Sequence, residues 1–324
     1  MNILVTGGAG YIGSKVVLDL EKKNYKVVVL DDLSTGYKRL VSKKSKFHNT
    51  SIQNYDALEK IFKGYKFDAV FHFAANLSVP ESQSKPLKYY MNNVIGTENI
   101  LKQVAKNKIK YFILSSTCAV YGGINKGRVS ESAPLMPESN YGKTKLLAEL
   151  LTKSFANKYS FKYAILRYFN VVGADPDLKT GPIKMGSLFK NLTSSLVHSA
   201  PKINLYGTNY KTRDGSAVRD YIDVNDLSNL HLESFDKIKQ SDSFVLNCGY
   251  GRPLSVKKII NSFQKIANKK IKIQKKQRRP GDVEKVYADI RLLKKKFPKW
   301  KSKYSLSDSI KFSLKWEKKI NGKN

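Results

Sequence analysis

Between an apolar run and an amphipathic one lies TGGAGYIG, residues 6–13. Its glycines, Gly7, Gly10 and Gly13, are spaced GxxGxxG directly after the strand-like NILV and before a helical stretch from Tyr11 to Lys23. A turn of this kind lets backbone N–H groups approach a pyrophosphate at the positive end of a helix, and it marks a strand–helix–strand unit. The next strand, YKVVVL (25–30), ends on Asp31. A carboxylate there can accept hydrogen bonds from an adenosine ribose and repel a 2′-phosphate, so the expected cofactor is NAD rather than NADP.

The alternation continues along the chain. KFHN (46–49) precedes a helical 55–63, and FDAVFHFAA (67–75) precedes a helical 89–106. KYFILSS (110–116), a helix near 141–158 and FKYAILRYF (161–169) complete the series. Strands that are β-branched and almost continuously apolar are those with helices on both faces. The pattern predicts a doubly wound parallel α/β sheet, with ligands at the carboxyl ends of its strands.

Past Asn170 the regularity lapses. Residues 173–216 carry Gly-, Pro-, Asp- and Lys-rich loops around one helical run near 185–198. RDYIDVNDLSNLHLESF (219–235) and FVLNCG (244–249) read as a helix and a strand returning to the first domain, and KIKIQ (270–274) as a short strand. The expected division is a nucleotide-binding domain over 1–172, rejoined by 219–250, and a smaller discontinuous lobe from 173–218 and 251–324.

Composition narrows the class. The 324 residues carry a formal charge of +33, with 50 Lys against 9 Arg, and 253–324 alone hold 23 basic and 5 acidic residues. Direct base readout relies on arginine and RNA recognition on exposed aromatics, and no zinc finger, RRM signature or arginine-rich arm is present. The excess reads as a lysine-rich solvated surface, with no specific nucleic-acid partner. Two cysteines without CxxC spacing and four scattered histidines argue against a disulfide framework or a metal site. With no apolar run long enough to span a bilayer and a strand starting at Asn2, a soluble, cytoplasmic chain without a membrane partner is expected.

Tyr141 and Lys145 in YGKTK stand four apart on one helix face. An ammonium beside a phenol lowers its pKa from about 10, and the phenolate can take a proton from an alcohol whose carbon passes a hydride to nicotinamide. TGGAGYIG, Asp31, HFAA (72–75), NNVIGT (92–97), SSTCAVYG (115–122), YGKTK, LRYFNVVGADP (166–176), VRDYI (218–222) and RRPGD (278–282) occur in this order. Together they resemble the extended short-chain dehydrogenase/reductase family, and within it the branch of UDP-hexose 4-epimerases, over essentially the whole length.

The resemblance implies a Rossmann domain with a smaller C-terminal substrate-binding lobe, and an isomerase that interconverts UDP-glucose and UDP-galactose through a 4-keto sugar on resident NAD. Such an activity would supply galactose-type sugars for glycan synthesis or catabolism. Tyr141 would be the catalytic base and acid, Lys145 its partner and a nicotinamide-ribose ligand, and Thr117 the hydroxyl that meets the sugar O4. NAD would be held by Gly7, Gly10, Tyr11, Ile12, Gly13, Asp31, Asp32, Ser51, Ile52, Phe73, Ala74, Ala75, Asn92 and Tyr168, together with Tyr141 and Lys145. The UDP-sugar would be held by Asn170, Ser187, Leu188, Arg219, Arg279, Asp282 and Val286, with Thr117 and Tyr141. Diphosphates suit guanidinium forks, which fits the arginines in that set. The resemblance also implies a homodimer formed by the helices near 89–106 and 141–158.

Related nucleotide-sugar dehydratases carry Asp and Glu after the catalytic threonine, and related decarboxylases a glutamate; this chain has Cys118 and Ala119. Neither can supply the acid–base pair that elimination needs. Nothing beside Cys118 in sequence would make it a thiolate nucleophile. Val286, Ser187 and Leu77 stand where bulkier or more polar residues occur in relatives, so some turnover of UDP-N-acetylhexosamines is expected. An enzyme acting mainly on N-acetylated or uronic acid sugars is the alternative. A catalytically silent nucleotide sensor or RNA binder is disfavoured by the presence of Thr117, Tyr141 and Lys145.

Overall fold

The computed structural model describes residues 1–123, 127–197, 200–279 and 283–322. Its first half runs β1 (Asn2–Thr6), α1 (Tyr11–Lys22), β2 (Lys26–Asp31), β3 (Lys46–Asn49), α2 (Tyr55–Gly64), β4 (Ala69–His72), α3 (Val79–Ser84) and α4 (Pro86–Tyr89). A π-helical turn, Tyr90–Ile95, leads into α5 (Gly96–Lys106), β5 (Tyr111–Thr117), β6 (Gly127–Val129), α6 (Asn140–Tyr159), β7 (Lys162–Tyr168) and β8 (Asn170–Val172). There follow α7 (Leu188–Leu196), β9 (Lys202–Tyr206), β10 (Val218–Asp223), α8 (Val224–Gln240), β11 (Phe244–Cys248) and β12 (Pro253–Ser255). The chain ends with α9 (Val256–Ala267), β13 (Lys272–Lys276), β14 (Val286–Ala288), α10 (Arg291–Lys296) and α11 (Leu306–Ile320).

Seven strands form one sheet in the order β11-β7-β5-β4-β1-β2-β3. The pairs β1–β2, β2–β3, β1–β4 and β4–β5 are all parallel. Strand order reverses at β1, whose neighbours are β2 on one side and β4 on the other. Ligands bind parallel sheets at such a reversal, beyond the carboxyl ends of the strands. Here those ends are Thr6 and His72, which sit in register. The strands are apolar on both faces because helices cover both: Leu4, Val70, Phe112 and Leu114 pack with Leu58 and Phe62 of α2 and Ile100 and Val104 of α5. Each such fully buried side chain contributes roughly 1.5–3 kcal/mol.

The chain divides into two compact units: residues 1–120, 137–167 and 228–246, and residues 121–136, 168–227 and 247–324. The inclusion of 121–136 in the second unit has no counterpart in the sequence pattern. That unit has its own core, where Phe189, Leu192, Tyr221, Ile260, Phe263 and Ile310 meet. It contains a three-stranded sheet ordered β12-β10-β8 and two parallel pairs, β13–β9 and β14–β6. All five residues of β13, KIQKK, are exposed.

Three local expectations need correction. The helix expected over 89–106 starts earlier, at Pro86, and is π-wound over Tyr90–Ile95. Residues 218–223 form β10, held by Asn170–Val172 on one side and Pro253–Ser255 on the other, and the helix starts only at Val224. The strand expected at 270–274 lies at 272–276, set by its pairing with Lys202–Tyr206.

Candidate active site

The glycine loop joins β1 to α1 at the sheet's reversal point. Gly7 has φ +71°, a left-handed conformation, and a Cβ there would lie 2.6 Å from the Ala74 nitrogen and 2.7 Å from the Phe73 carbonyl carbon. The loop and the Phe73–Ala75 segment therefore touch through bare backbone, joined by Phe73 N–H to the Thr6 carbonyl at 2.9 Å. Gly10 is the N-cap of α1 and offers no side chain to its first turn, Tyr11–Gly13, which also lacks acidic residues. A helix start without a side-chain cap and without negative charge suits a diphosphate. The donor set fits a dinucleotide.

Asp31 ends β2 almost fully buried, at 7 % exposure. Its carboxylate accepts Ala9 N–H at 3.0 Å and Leu33 N–H at 2.9 Å, so it ties the glycine loop to β2. Burial raises its pKa, and those two N–H groups oppose the rise. Asp32 is exposed and occupied in a turn, accepting the N–H and hydroxyl of Ser34 at 2.9 and 2.6 Å. Ser51 accepts Gln53 N–H at 3.2 Å, and Ile52 is buried against Gly96. Asn92 lies in the π turn and accepts from Gln53 at 3.4 Å. Tyr168 is buried at the end of β7.

Thr117 and Tyr141 meet where β5 ends. Thr117 is the last residue of that strand, and its hydroxyl acts on the Tyr141 phenol, pulling its pKa down. Tyr141 occupies the first turn of α6, which Ser139 caps by accepting Gly142 N–H at 3.1 Å. Gly142 permits the approach: a Cβ there would lie 2.8 Å from the Ala119 carbonyl oxygen. Lys145, one turn on, is 3 % exposed.

The electrostatics differ from the sequence expectation in one respect. Burial pushes the Tyr141 phenol up to about 12, with the Thr117 hydrogen bond pulling down and Cys118 pushing up. The expected fall below 10 is absent because desolvation outweighs the hydroxyl bond and Lys145 is not among the groups that shift the phenol. Lys145 itself is brought down to about 8 by burial, against a raising effect of Glu149. His72, between Thr6 at 2.7 Å and Thr97 at 2.9 Å, is held at about 3 by burial and the Lys145 charge, and is a neutral core residue at physiological pH.

Several contributors are not evident from sequence motifs. Asn93, 1 % exposed, accepts Asn76 N–H at 2.7 Å and donates to the Asn76 carbonyl at 3.0 Å and to Thr144 at 3.1 Å. It thereby fastens the loop after β4 to the second turn of α6. Glu149 on α6 and Arg167 on β7 form a buried ion pair, NH2 to Oε2 2.7 Å. An arginine inside the apolar strand YAILRY was the available signal, since a buried guanidinium requires a partner.

The residues expected at the nucleotide-sugar fall in the second unit. Asn170 is exposed in β8, in register with Tyr221 of β10. Arg219 in β10 donates to the Val218 carbonyl at 2.9 Å, and Val286 is buried in β14, paired with Gly127. Arg279 lies over the Tyr206 ring, 3.9 Å from its centroid. Ser187 is the exposed N-cap of α7, accepting Lys190 N–H at 3.2 Å, and Leu188 opens that helix. Asp282 lies outside the described residues. Cys248 is buried, and burial followed by the Glu131 charge keeps its thiol well above the ordinary range. Among the described residues no helix is long and apolar enough to cross a membrane.

The chain is similar over almost its whole length to proteins of known name. A UDP-glucose 4-epimerase of Lactobacillus helveticus is 38% identical over 98% of this chain and 97% of its own. A protein named putative UDP-arabinose 4-epimerase 2, from Arabidopsis thaliana, is also 38% identical, over 98% of this chain and 80% of its own. The crystal structure of UDP-glucose 4-epimerase from Bifidobacterium longum in complex with NAD+ and UDP superposes with a TM-score of 0.93 at 33% identity, covering 99% of each chain. The family model for the NAD dependent epimerase/dehydratase family matches residues 3–249, and the chain belongs to that family.

Proposed function

We propose that the chain is an NAD-dependent UDP-sugar 4-epimerase, an isomerase, whose preferred pair is UDP-glucose and UDP-galactose. The observation that carries the reading is the Thr117 hydroxyl acting on the Tyr141 phenol, one helical turn from a buried Lys145, at the end of a strand whose next two residues are Cys118 and Ala119. The glycine loop, the uncapped start of α1 and Asp31 would hold the dinucleotide. Bound NAD would supply the hydrogen acceptor for sugar C4 and a positive ring charge. Thr117 orients the O4 hydroxyl toward Tyr141, which takes its proton as C4 gives up a hydride, and returns it to the same oxygen when the turned-over 4-keto sugar regains its hydride on the opposite face of C4. Lys145, protonated below about 8, supplies a cation against the developing phenolate. Loss of water from the sugar is not served, because no carboxylate follows Thr117.

Sugar choice is the finer part of the proposal. The buried, branched Val286 and the short Ser187 leave the reading open to N-acetylhexosamines, and a relative named for UDP-arabinose brings pentoses within range. Assembly as a homodimer fits the surface of the first unit: Leu87, Met91 and Ile95 recur every four residues, 39–72 % exposed, and Leu147 and Leu150 of α6 are 37 % and 49 % exposed. The deciding experiment is NMR of products from UDP-glucose, UDP-N-acetylglucosamine, UDP-arabinose and UDP-glucuronate, with bound NAD released by denaturation. Tyr141→Phe should lose at least about 100-fold in turnover. Near-normal turnover in that variant sinks the assignment.

A further inference from the structure

Behind the proton-transfer residues lies a charged cluster with no surface of its own. Glu149 follows Lys145 by one turn on the same face of α6, and its side chain is 0 % exposed. Arg167, 2 % exposed, reaches it from β7 through Nε at 3.0 and 3.3 Å and NH2 at 2.7 Å, occupying both carboxylate oxygens. From β5, the Ser116 hydroxyl donates to Glu149 Oε1. Ser116 immediately precedes Thr117. Three elements thus meet at one carboxylate, and two of them carry Thr117, Tyr141 and Lys145.

Stability alone gives a poor reason for such a pair, because the desolvation of two buried charges offsets most of their attraction and packed apolar residues do as well. A buried charge is better suited to fixing a geometry and setting a neighbouring charge. We infer that Glu149 is a positioning residue for catalysis, locking the end of β5 to α6 through Ser116 and placing a negative charge one turn from Lys145, with Arg167 holding the carboxylate in place. The inference rests on Tyr141 and Lys145 being the proton-transfer pair.

The groups around the cluster give the sign of its effect. Lys145 acts on neutral His72 of β4 and is acted on by Glu149 of its own helix. Glu149 faces Ser116 from β5 and Arg167 and Tyr163 from β7, and its charge helps to raise the Tyr163 phenol after burial. Among these, Glu149 is the negative charge that counters the desolvation of Lys145. Removing it lowers the pH at which Lys145 gives up its proton.

The test is the pH dependence of kcat for the holoenzyme on UDP-glucose, followed by NMR and normalised to bound NAD. Two variants are compared with the wild type: Glu149→Gln, and Glu149→Gln with Arg167→Met, which leaves no stranded guanidinium and carries the test if the first fails to fold. In each, the alkaline limb should move down by about one pH unit, giving about a fivefold loss of kcat at pH 8 with little change in KM. A limb that stays within about 0.2 unit of the wild type in a folded, NAD-loaded variant overturns the inference. Tyr141→Phe serves as the control: if it turns over normally, the site assignment itself has failed, whereas an inactive Tyr141→Phe with an unmoved limb refutes only the role of Glu149.

Discussion

The contact between the glycine loop and the end of β4 can be tested by one methyl group. Gly7→Ala places a Cβ 2.6 Å from one backbone atom and 2.7 Å from another, where ordinary contact begins at 3.4 Å. The two loops must part by about 0.8 Å, and neither can yield as a flexible side chain would. Overpacking of this kind costs roughly 1–3 kcal/mol, and an alanine at φ +71° costs roughly 1–2 kcal/mol more. The stiffer unfolded chain returns about 0.4–1 kcal/mol, leaving a net loss of roughly 2–4 kcal/mol. At about 2 cal/mol/K per residue of unfolding entropy, a chain of this length loses roughly 3–6 °C in Tm. Because the displaced backbone also carries the first turn of α1, bound NAD per chain should fall as well. Gly64→Ala, at the end of α2 with nothing within 4 Å, is the control and should be neutral or slightly stabilising. Differential scanning calorimetry and NAD release on denaturation read both effects. A Gly7→Ala protein melting within about 1 °C of the wild type refutes the reasoning from backbone contact.

Two other outcomes follow from the first unit. His72 is held at about 3 against 6.5 in the unfolded chain, so its stabilising contribution is complete above pH 6.5 and is lost as pH falls toward 3. Between pH 7 and 4 the unfolding free energy should drop by roughly 3 kcal/mol more in the wild type than in His72→Gln, and equal slopes in urea titrations would contradict the assignment. The exposed leucines of the first unit should make the wild type a dimer of 36.7 kDa chains by light scattering, and Leu87→Glu with Leu150→Glu a monomer. A wild-type monomer at micromolar concentration rules that assembly out.

What could be read from the sequence was whatever depends on local spacing. The glycines at a strand–helix junction, Asp31 at a strand end and Tyr141 with Lys145 on one helix face are all set by neighbours within a few residues. Features that require a distant partner were hidden. Asn93 looks like half of an Asn pair until Asn76 and Thr144 close around it. Glu149 looks like a helix-surface charge until β7 brings Arg167 to it. VRDYID carries no clear period, and its strand identity comes from the two strands beside it. The direction of the Tyr141 shift is hidden for the same reason: the lysine is visible in the sequence, and the burial of the phenol is not.

Strand β13 gives part of the lysine excess a task. Among the described residues it pairs only with β9, so its other edge presents unpaired backbone groups, with Ile273 38 % exposed beside them. Such an edge is a template for the same strand in another molecule. Lys272, Lys275 and Lys276 place like charges wherever two copies would meet, a barrier that acts over about 10 Å at 0.1 M salt and shortens as salt rises. These lysines keep neighbouring chains from adding to the sheet.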